Sequence, residues 1–186
     1  MKITDLKKIL KELPKDQLIK DIADLYRKNQ FVKDYYNSLH TENGCLSLLV
    51  KHKEIIDDEF FPEFEPPRLP RLSVAKKAIS EFKKICDGKE QIAELMIYYV
   101  ENGVKYTDCY GDINEQFYFS MESMYEKTLK FITDNGLAPK FKVRCKAIVD
   151  DTVDMGWGFH DGLSESYYSY FDSAPLKNKG ITSALI

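Results

Sequence analysis

The stretch V-K-Y-T-D-C-Y-G-D-I-N-E-Q-F-Y-F-S-M-E-S-M-Y-E-K-T-L-K-F, residues 104–131, decides the fold class. Its first part reads as a polar, tyrosine-bearing loop that closes at Gly111. The rest reads as a long helix with Asp112 as N-cap, where a side-chain oxygen and a negative charge both suit the free amides of a first turn. Within that helix Ile113, Phe117, Met121, Met124, Thr128 and Phe131 or Ile132 recur at steps of three and four, which is one broad buried face. A face that wide needs other helices against it. Beside it Glu115, Glu122 and Glu126 fall close together in helical projection, next to Phe119, so the same helix joins core to an acidic, aromatic surface.

Upstream, a helix from Glu90 carries Ile92, Leu95, Met96, Tyr99 and Val100, and Asn102-Gly103 reads as its left-handed stop. The helix before it starts at Ser73, turns Val74, Ala78, Ile79, Phe82 and Ile85 inward and ends at Asp87-Gly88. Residues 61–72 hold four of the seven prolines, whose missing amides and fixed φ exclude regular helix. This is a connector, although Pro67-Arg68-Leu69-Pro70 also fits a PxxP ligand. Further upstream, Thr4 caps a first helix ending near Leu13, and Pro14 starts a second that runs to about Asn29, together an αα-hairpin. A third helix covers residues 31–39 and a fourth residues 46–60.

Downstream, Asn135-Gly136 ends the long helix, and Pro139 opens an eighth with Phe141, Cys145, Ile148 and Val149 at helical spacing. A ninth, led by His160-Asp161-Gly162, runs through Tyr167, Tyr168, Tyr170 and Phe171, and residues 172–186 read as a loose tail. Sustained period-two alternation is missing, so the class is all-α. The expectation is an irregular array of about nine antiparallel helices, a helical bundle or α-hairpin stack. It forms a single domain over residues 1–171, with lobes 1–60 and 73–171 as a finer division.

The 186 residues suffice for a core without staples,. The four cysteines, Cys45, Cys86, Cys109 and Cys145, form no C-x-x-C pair. They read as small buried apolar residues in a reducing compartment. The start lacks an apolar signal region and no apolar run reaches membrane-spanning length, which points to the cytoplasm and away from a membrane. A formal charge of −3 does not by itself call for a nucleic-acid partner,.

Two motifs are familiar: Y-G-D-I-N-E-Q-F-Y-F-S-M-E-S-M-Y-E at residues 110–126 and G-W-G-F-H-D at residues 156–161. With L-x-x-L-I-K-D-I-A-D-L-Y in the second helix and R-L-S-V-A-K-K-A-I-S-x-F at residues 71–82, they resemble a bacterial family catalogued as domain of unknown function 6155. The resemblance covers nearly the whole chain up to about Phe171. It implies a stand-alone helical protein and no catalytic residue.

The acids Asp108, Asp112, Glu115, Glu122 and Glu126, with His160 and Asp161, suggest a site for a hard cation, with His160 as nitrogen ligand or general base. The narrowest set is Asp112, Glu115, Glu122 and His160, and it defines a metal-dependent hydrolase as one alternative. Against it, no histidine sits three residues after a glutamate and no H-E-x-x-H is present,; a solvated acidic face, with Asp112 merely a cap, is the plainer reading, and no cofactor is assigned. The turn at residues 156–161 has two glycines around the only tryptophan. It either presents Trp157 and His160 to a ligand or plugs a helix corner with Trp157 and Phe159, with Asp161 as N-cap. A dinucleotide site is excluded, since no strand precedes the turn. No G-x-S-x-G is present, and Asp108 beside Cys109 disfavours a reactive thiolate.

The first thirty-three residues hold nine Lys and Arg against five acids. That suggests weak nucleic-acid contact through the N-terminal hairpin, but the charges interleave and no stacking platform accompanies them. The expected function is therefore a cytoplasmic protein-interaction module rather than an enzyme. Its expected surface comprises Tyr106, Tyr110, Asp112, Glu115, Glu122, Trp157, His160 and Asp161, provided the two polar, aromatic turns meet at one end of the array. Self-association into a homo-oligomer is left open.

Overall fold

The computed structural model describes residues 1–63 and 68–172. Among these residues it has nine α-helices and no strand. They are α1 (Ile3–Glu12), α2 (Lys15–Lys28), α3 (Gln30–His40), α4 (Gly44–Phe60), α5 (Leu72–Ile85), α6 (Lys89–Tyr110), α7 (Glu115–Asp134), α8 (Ala138–Asp150) and α9 (Phe159–Phe171). Chain order is largely spatial order: α2 packs on α3, α3 on α4, and α4 on both α5 and α6. The array closes through α6 on α7 and α8, and through α9 on α7 and α8. No helix among the described residues is long and apolar enough to cross a membrane. The tail expected from residue 172 onward lies, apart from Asp172, outside the described residues, as does Pro67 of the PxxP reading.

The core belongs to α4–α9. The periodic face of α7 is buried as expected, through Phe117, Met121, Met124, Thr128 and Ile132. Its flank adds Tyr118, Tyr125 and Leu129, and the Tyr125 hydroxyl donates to the Cys145 carbonyl at 2.8 Å. By contrast α1, α2 and α3 bury no residue at all.

The largest departure from the sequence reading is the length of α6. Asn102-Gly103 does not stop it; both residues are buried inside the helix, and the expected loop over residues 104–110 forms its last two turns. Gly103 is there for packing: an added Cβ would stand 2.1 Å from Sδ of Met121. It lets α6 and α7 approach where any side chain would hold them apart. The helix ends instead at Gly111, whose φ of 78° breaks the helical path,. Helix α7 then starts two residues later than expected, capped by Asn114, whose side chain accepts from the Phe117 amide at 2.9 Å. Asp112 is not the cap.

A second correction concerns cysteine. Cys45 in the first turn of α4 and Cys86 just after α5 are joined by a disulfide, 41 residues apart in sequence and 5.8 Å apart between Cα atoms. The packing of α4 along α5 brings them together, which spacing in the sequence does not reveal.

Two ionic networks lock the array. In one, Glu59 on α4, almost wholly buried, accepts from Arg71 Nη2 at 2.6 Å, from the Arg71 amide at 3.1 Å and from Arg68 at 3.3 Å. Burial pushes this carboxyl up, but the Arg71 side-chain and amide hydrogen bonds, with Arg68, outweigh burial and hold it below the ordinary glutamate value,. The connector is thereby tied to α4, and the Tyr106 hydroxyl adds a bond to the Arg68 carbonyl at 2.8 Å. In the other network Arg144 of α8 forks onto Glu101 at 2.6 and 2.7 Å and also reaches Glu94, which takes Lys53 of α4 at 2.6 Å. A planar guanidinium suits this two-carboxylate geometry.

Candidate functional site

Two connections meet at one end of α7. The α6–α7 loop, residues 111–114, carries Asp112, and its Oδ1 accepts from the Tyr118 hydroxyl at 2.9 Å and from the Gly156 amide at 3.3 Å. Gly156 belongs to the α8–α9 turn. A Cβ at that position would lie 2.7 Å from Asp112 Oδ2, so glycine is what lets the turn reach the carboxylate,.

The next residue, Trp157, adopts the left-handed region with φ 62°, followed by Gly158 at φ 70°. That conformation costs a non-glycine residue on the order of 1 kcal/mol or more. It reverses the direction of successive side chains. Phe159 is fully buried, 4.9 Å from the Tyr118 ring centroid, whereas Trp157 is 61% exposed. Phe159 alone is the plug; the expectation that Trp157 fills the corner with it is overturned.

Trp157 stands over the flank of α7. With Glu115, Gln116, Tyr118, Phe119 and Glu122 it lines an open cleft of about 410 Å³. Phe119 is 69% exposed, more than a large aromatic side chain ordinarily is,. Glu122 is half-buried beneath it, because α9 passes close by: an added Cβ on Gly162 would be 3.0 Å from Glu122 Oε1. Burial pushes the Glu122 carboxyl above its usual value,. The cleft thus offers two aromatic faces with two carboxylates beside them. Such a surface attracts a cation twice, through ring quadrupole and through charge.

Other residues expected at the surface are placed elsewhere. Tyr106 is buried, its ring 4.6 Å from Tyr110 and 6.1 Å from Phe60. It belongs to the core because the segment carrying it is helix, not loop. Tyr110 is partly exposed but stacks toward Phe61 and does not line the cleft. His160 points inward, its Nδ1 3.1 Å from both the Val149 carbonyl and the Thr152 hydroxyl, where it closes the end of α8. Asp161 sits in the first turn of α9, exposed, while Gly158 occupies the N-cap position.

The proposed ligand set Asp112, Glu115, Glu122 and His160 is therefore not assembled. Asp112 is committed to Tyr118 and Gly156, and His160 to α8. Among the described residues no group of three or more His, Cys, Asp or Glu is placed to hold a metal ion. A second open cleft, of about 400 Å³, is lined by Asp112 together with Asp108, Asp150, Asp151 and Asp154, among others.

Phe119 falls beside the acids in projection yet lies outside the expected surface, as do Tyr118 and Gln116. The available signal was the pair Gly156 and Gly162: small residues six apart at a helix start mark where a turn and a helix press against another element.

A family model described as a family of unknown function, DUF6155, matches residues 1–172, and the chain belongs to that family. No curated protein and no solved structure matches it.

Proposed function

We propose that this DUF6155 member is a helical protein-interaction module that captures a basic segment of a partner protein. A Lys or Arg side chain of the partner enters the cleft between Trp157 and Phe119, with its charge against Glu115 and Glu122. One observation carries this reading: a strained left-handed turn holds the sole tryptophan out in solvent, beside an exposed phenylalanine and over a half-buried glutamate. An exposed aromatic pair costs solubility and contributes nothing to the core, which is the mark of a contact surface. The acidic rim selects a cationic partner and repels nucleic-acid phosphate. The reading assigns no catalytic step.

Calorimetric titration with an Arg/Lys-rich peptide, against an Asp/Glu-rich control of equal length, tests it. Cation–π contacts contribute about 0.5–2 kcal/mol each, so Phe119→Ala and Trp157→Ala should each weaken the basic peptide roughly twofold to thirtyfold while leaving the melting temperature unchanged. Glu122, whose carboxyl is pushed up by burial, adds a pH signature. Affinity should fall as the pH drops into the range just above the ordinary glutamate value, and Glu122→Gln should lose that dependence. Equal affinity for basic and acidic peptides, or unchanged binding in Phe119→Ala, contradicts the proposal.

The same reading keeps the chain in the cytoplasm. There the Cys45–Cys86 bridge is exposed to reduction, and alkylation in intact cells should label both residues; a blocked pair would place the chain in an oxidising compartment.

A further inference from the structure

The cleft at Trp157 and Phe119 lacks a cation that the chain supplies to comparable groups elsewhere. The half-buried rings of Tyr98, Phe61, Phe131 and Phe171 each have a lysine of the chain over them, Lys53, Lys105, Lys83 and Lys142 respectively. Trp157 and Phe119, far more exposed, have none among the described residues. The glutamates repeat the pattern. Among the described residues, Glu59, Glu81, Glu94 and Glu101 are those, besides Glu122, that are not fully exposed, and each pairs with a Lys or Arg. Glu122 has neither ion pair nor hydrogen bond there, and Glu115 at the rim has none either. A half-buried carboxylate without a counter-charge, under rings without a cation, marks the place of a cation from outside.

Resting on the cationic-segment reading above, we infer that the group completing this cleft is a methylated ammonium, carried by a lysine of the partner. The lining selects it. Three of the six lining residues, Tyr118, Phe119 and Trp157, are aromatic, and the Tyr118 hydroxyl is spent on Asp112. That leaves Glu115, Gln116 and Glu122 to accept hydrogen bonds. An unmodified ammonium is tightly hydrated and a guanidinium carries a fork of donors, so either must exchange water for several oxygens. Arg144 shows what a guanidinium takes in this molecule: both oxygens of Glu101 and one of Glu94. The cleft offers ring surface where those donors need acceptors. Methyl groups remove donors, spread the charge over carbon that packs on a ring, and lower the cost of leaving water. Such a cation neutralises Glu122 without asking for a network of hydrogen bonds in return.

Calorimetric titration of the full chain with three versions of one Arg/Lys-rich peptide tests the inference. The versions differ at a single central lysine, which is unmodified, trimethylated, or replaced by its neutral tert-butyl isostere. The trimethylated peptide should bind roughly fivefold or more tighter than either of the others. Phe119→Ala should erase its advantage over the unmodified peptide, and Glu122→Gln its advantage over the neutral isostere. Equal affinity of trimethylated and unmodified peptides overturns the inference and leaves the basic-segment reading standing. Equal affinity of trimethylated and neutral peptides also overturns it, since charge is then not read. Binding of none of the three overturns both readings. Tetramethylammonium chloride, added as competitor, separates the two sources of this chemistry. Competition only at far higher concentration than the trimethylated peptide is expected for a side chain of a partner. Competition at the same concentration would keep the methylated ammonium, assign it to a small free cation and overturn its place on a protein partner.

Discussion

Gly103 shows how one missing methyl group sets the geometry of the core. It lies mid-helix in α6, where glycine costs about 1 kcal/mol relative to alanine, and the Met121 thioether fills the space a Cβ would need. Replacing it has two opposed effects: alanine stiffens the helix but drives a Cβ to 2.1 Å from Met121 Sδ, in a fully buried site. Overpacking costs typically about 1–3 kcal/mol, so Gly103→Ala should lower stability by up to about 2 kcal/mol net in chemical denaturation. Combined with Met121→Ala it should cost less than the sum of the two single changes, because the second opens the space the first needs. Additivity would show that the close approach of α6 and α7 is not what the glycine is for. Trp157 is the counterpart at the surface: backbone strain there puts an aromatic ring into solvent rather than into the core.

At the scale of elements, the ends of helices carry most of the information and most of the error. Asn114 rather than Asp112 caps α7, although both are acceptable caps by composition,; what decides is that Asp112 is already held by Tyr118 and Gly156. The periodic faces of α5, α6 and α7 were legible because burial imposes a 3.6-residue pattern on the sequence itself. The reach of α6 was not, since an Asn-Gly pair signals a stop only if no neighbour needs the glycine for contact. The disulfide and the inward turn of His160 were hidden for the same reason, being properties of which helices pack together. Half of the cleft was legible: Glu115 and Glu122 from projection on α7, and Trp157 from its glycine neighbours. Their meeting with Phe119 depends on the tether between Asp112 and Gly156.

The tie between α4 and the connector has its own signature in pH. Glu59 has its folded pKa depressed, so its contribution to stability is present above the unfolded value and is lost as the pH falls through the folded one,. Glu94, held by Lys53 and Arg144 against the burial that would raise it, has the same sign. Thermal melts should therefore lose midpoint on acidification below the ordinary glutamate range. Glu59→Gln, costing about 1–3 kcal/mol at neutral pH, should flatten that loss. A variant with an unchanged acid slope would remove Glu59 from the account.

For the whole molecule, the described helices divide the work. Those from α4 to α9 form a closed, well-packed body whose buried polar side chains all find partners, as a stable scaffold requires. The first three helices bury no residue of their own, and the sequence of contacts α2 on α3 and α3 on α4 attaches them to that body. The scaffold fixes the α6–α7 loop and the α8–α9 turn against each other, and so holds Trp157 in place over Phe119 and Glu122 without a partner present. A pre-formed cleft of this kind would receive the proposed segment without first having to be ordered.

Because Trp157 is the only tryptophan in the chain, its fluorescence reports on the proposed site alone. Titration of the full-length protein with an Arg/Lys-rich peptide is the most direct test. The account predicts a saturable change in Trp157 emission that weakens with salt and needs a correspondingly higher peptide concentration in Phe119→Ala. Emission indifferent to the basic peptide, or equally responsive to an acidic one, would contradict the claim that this cleft captures a cationic segment.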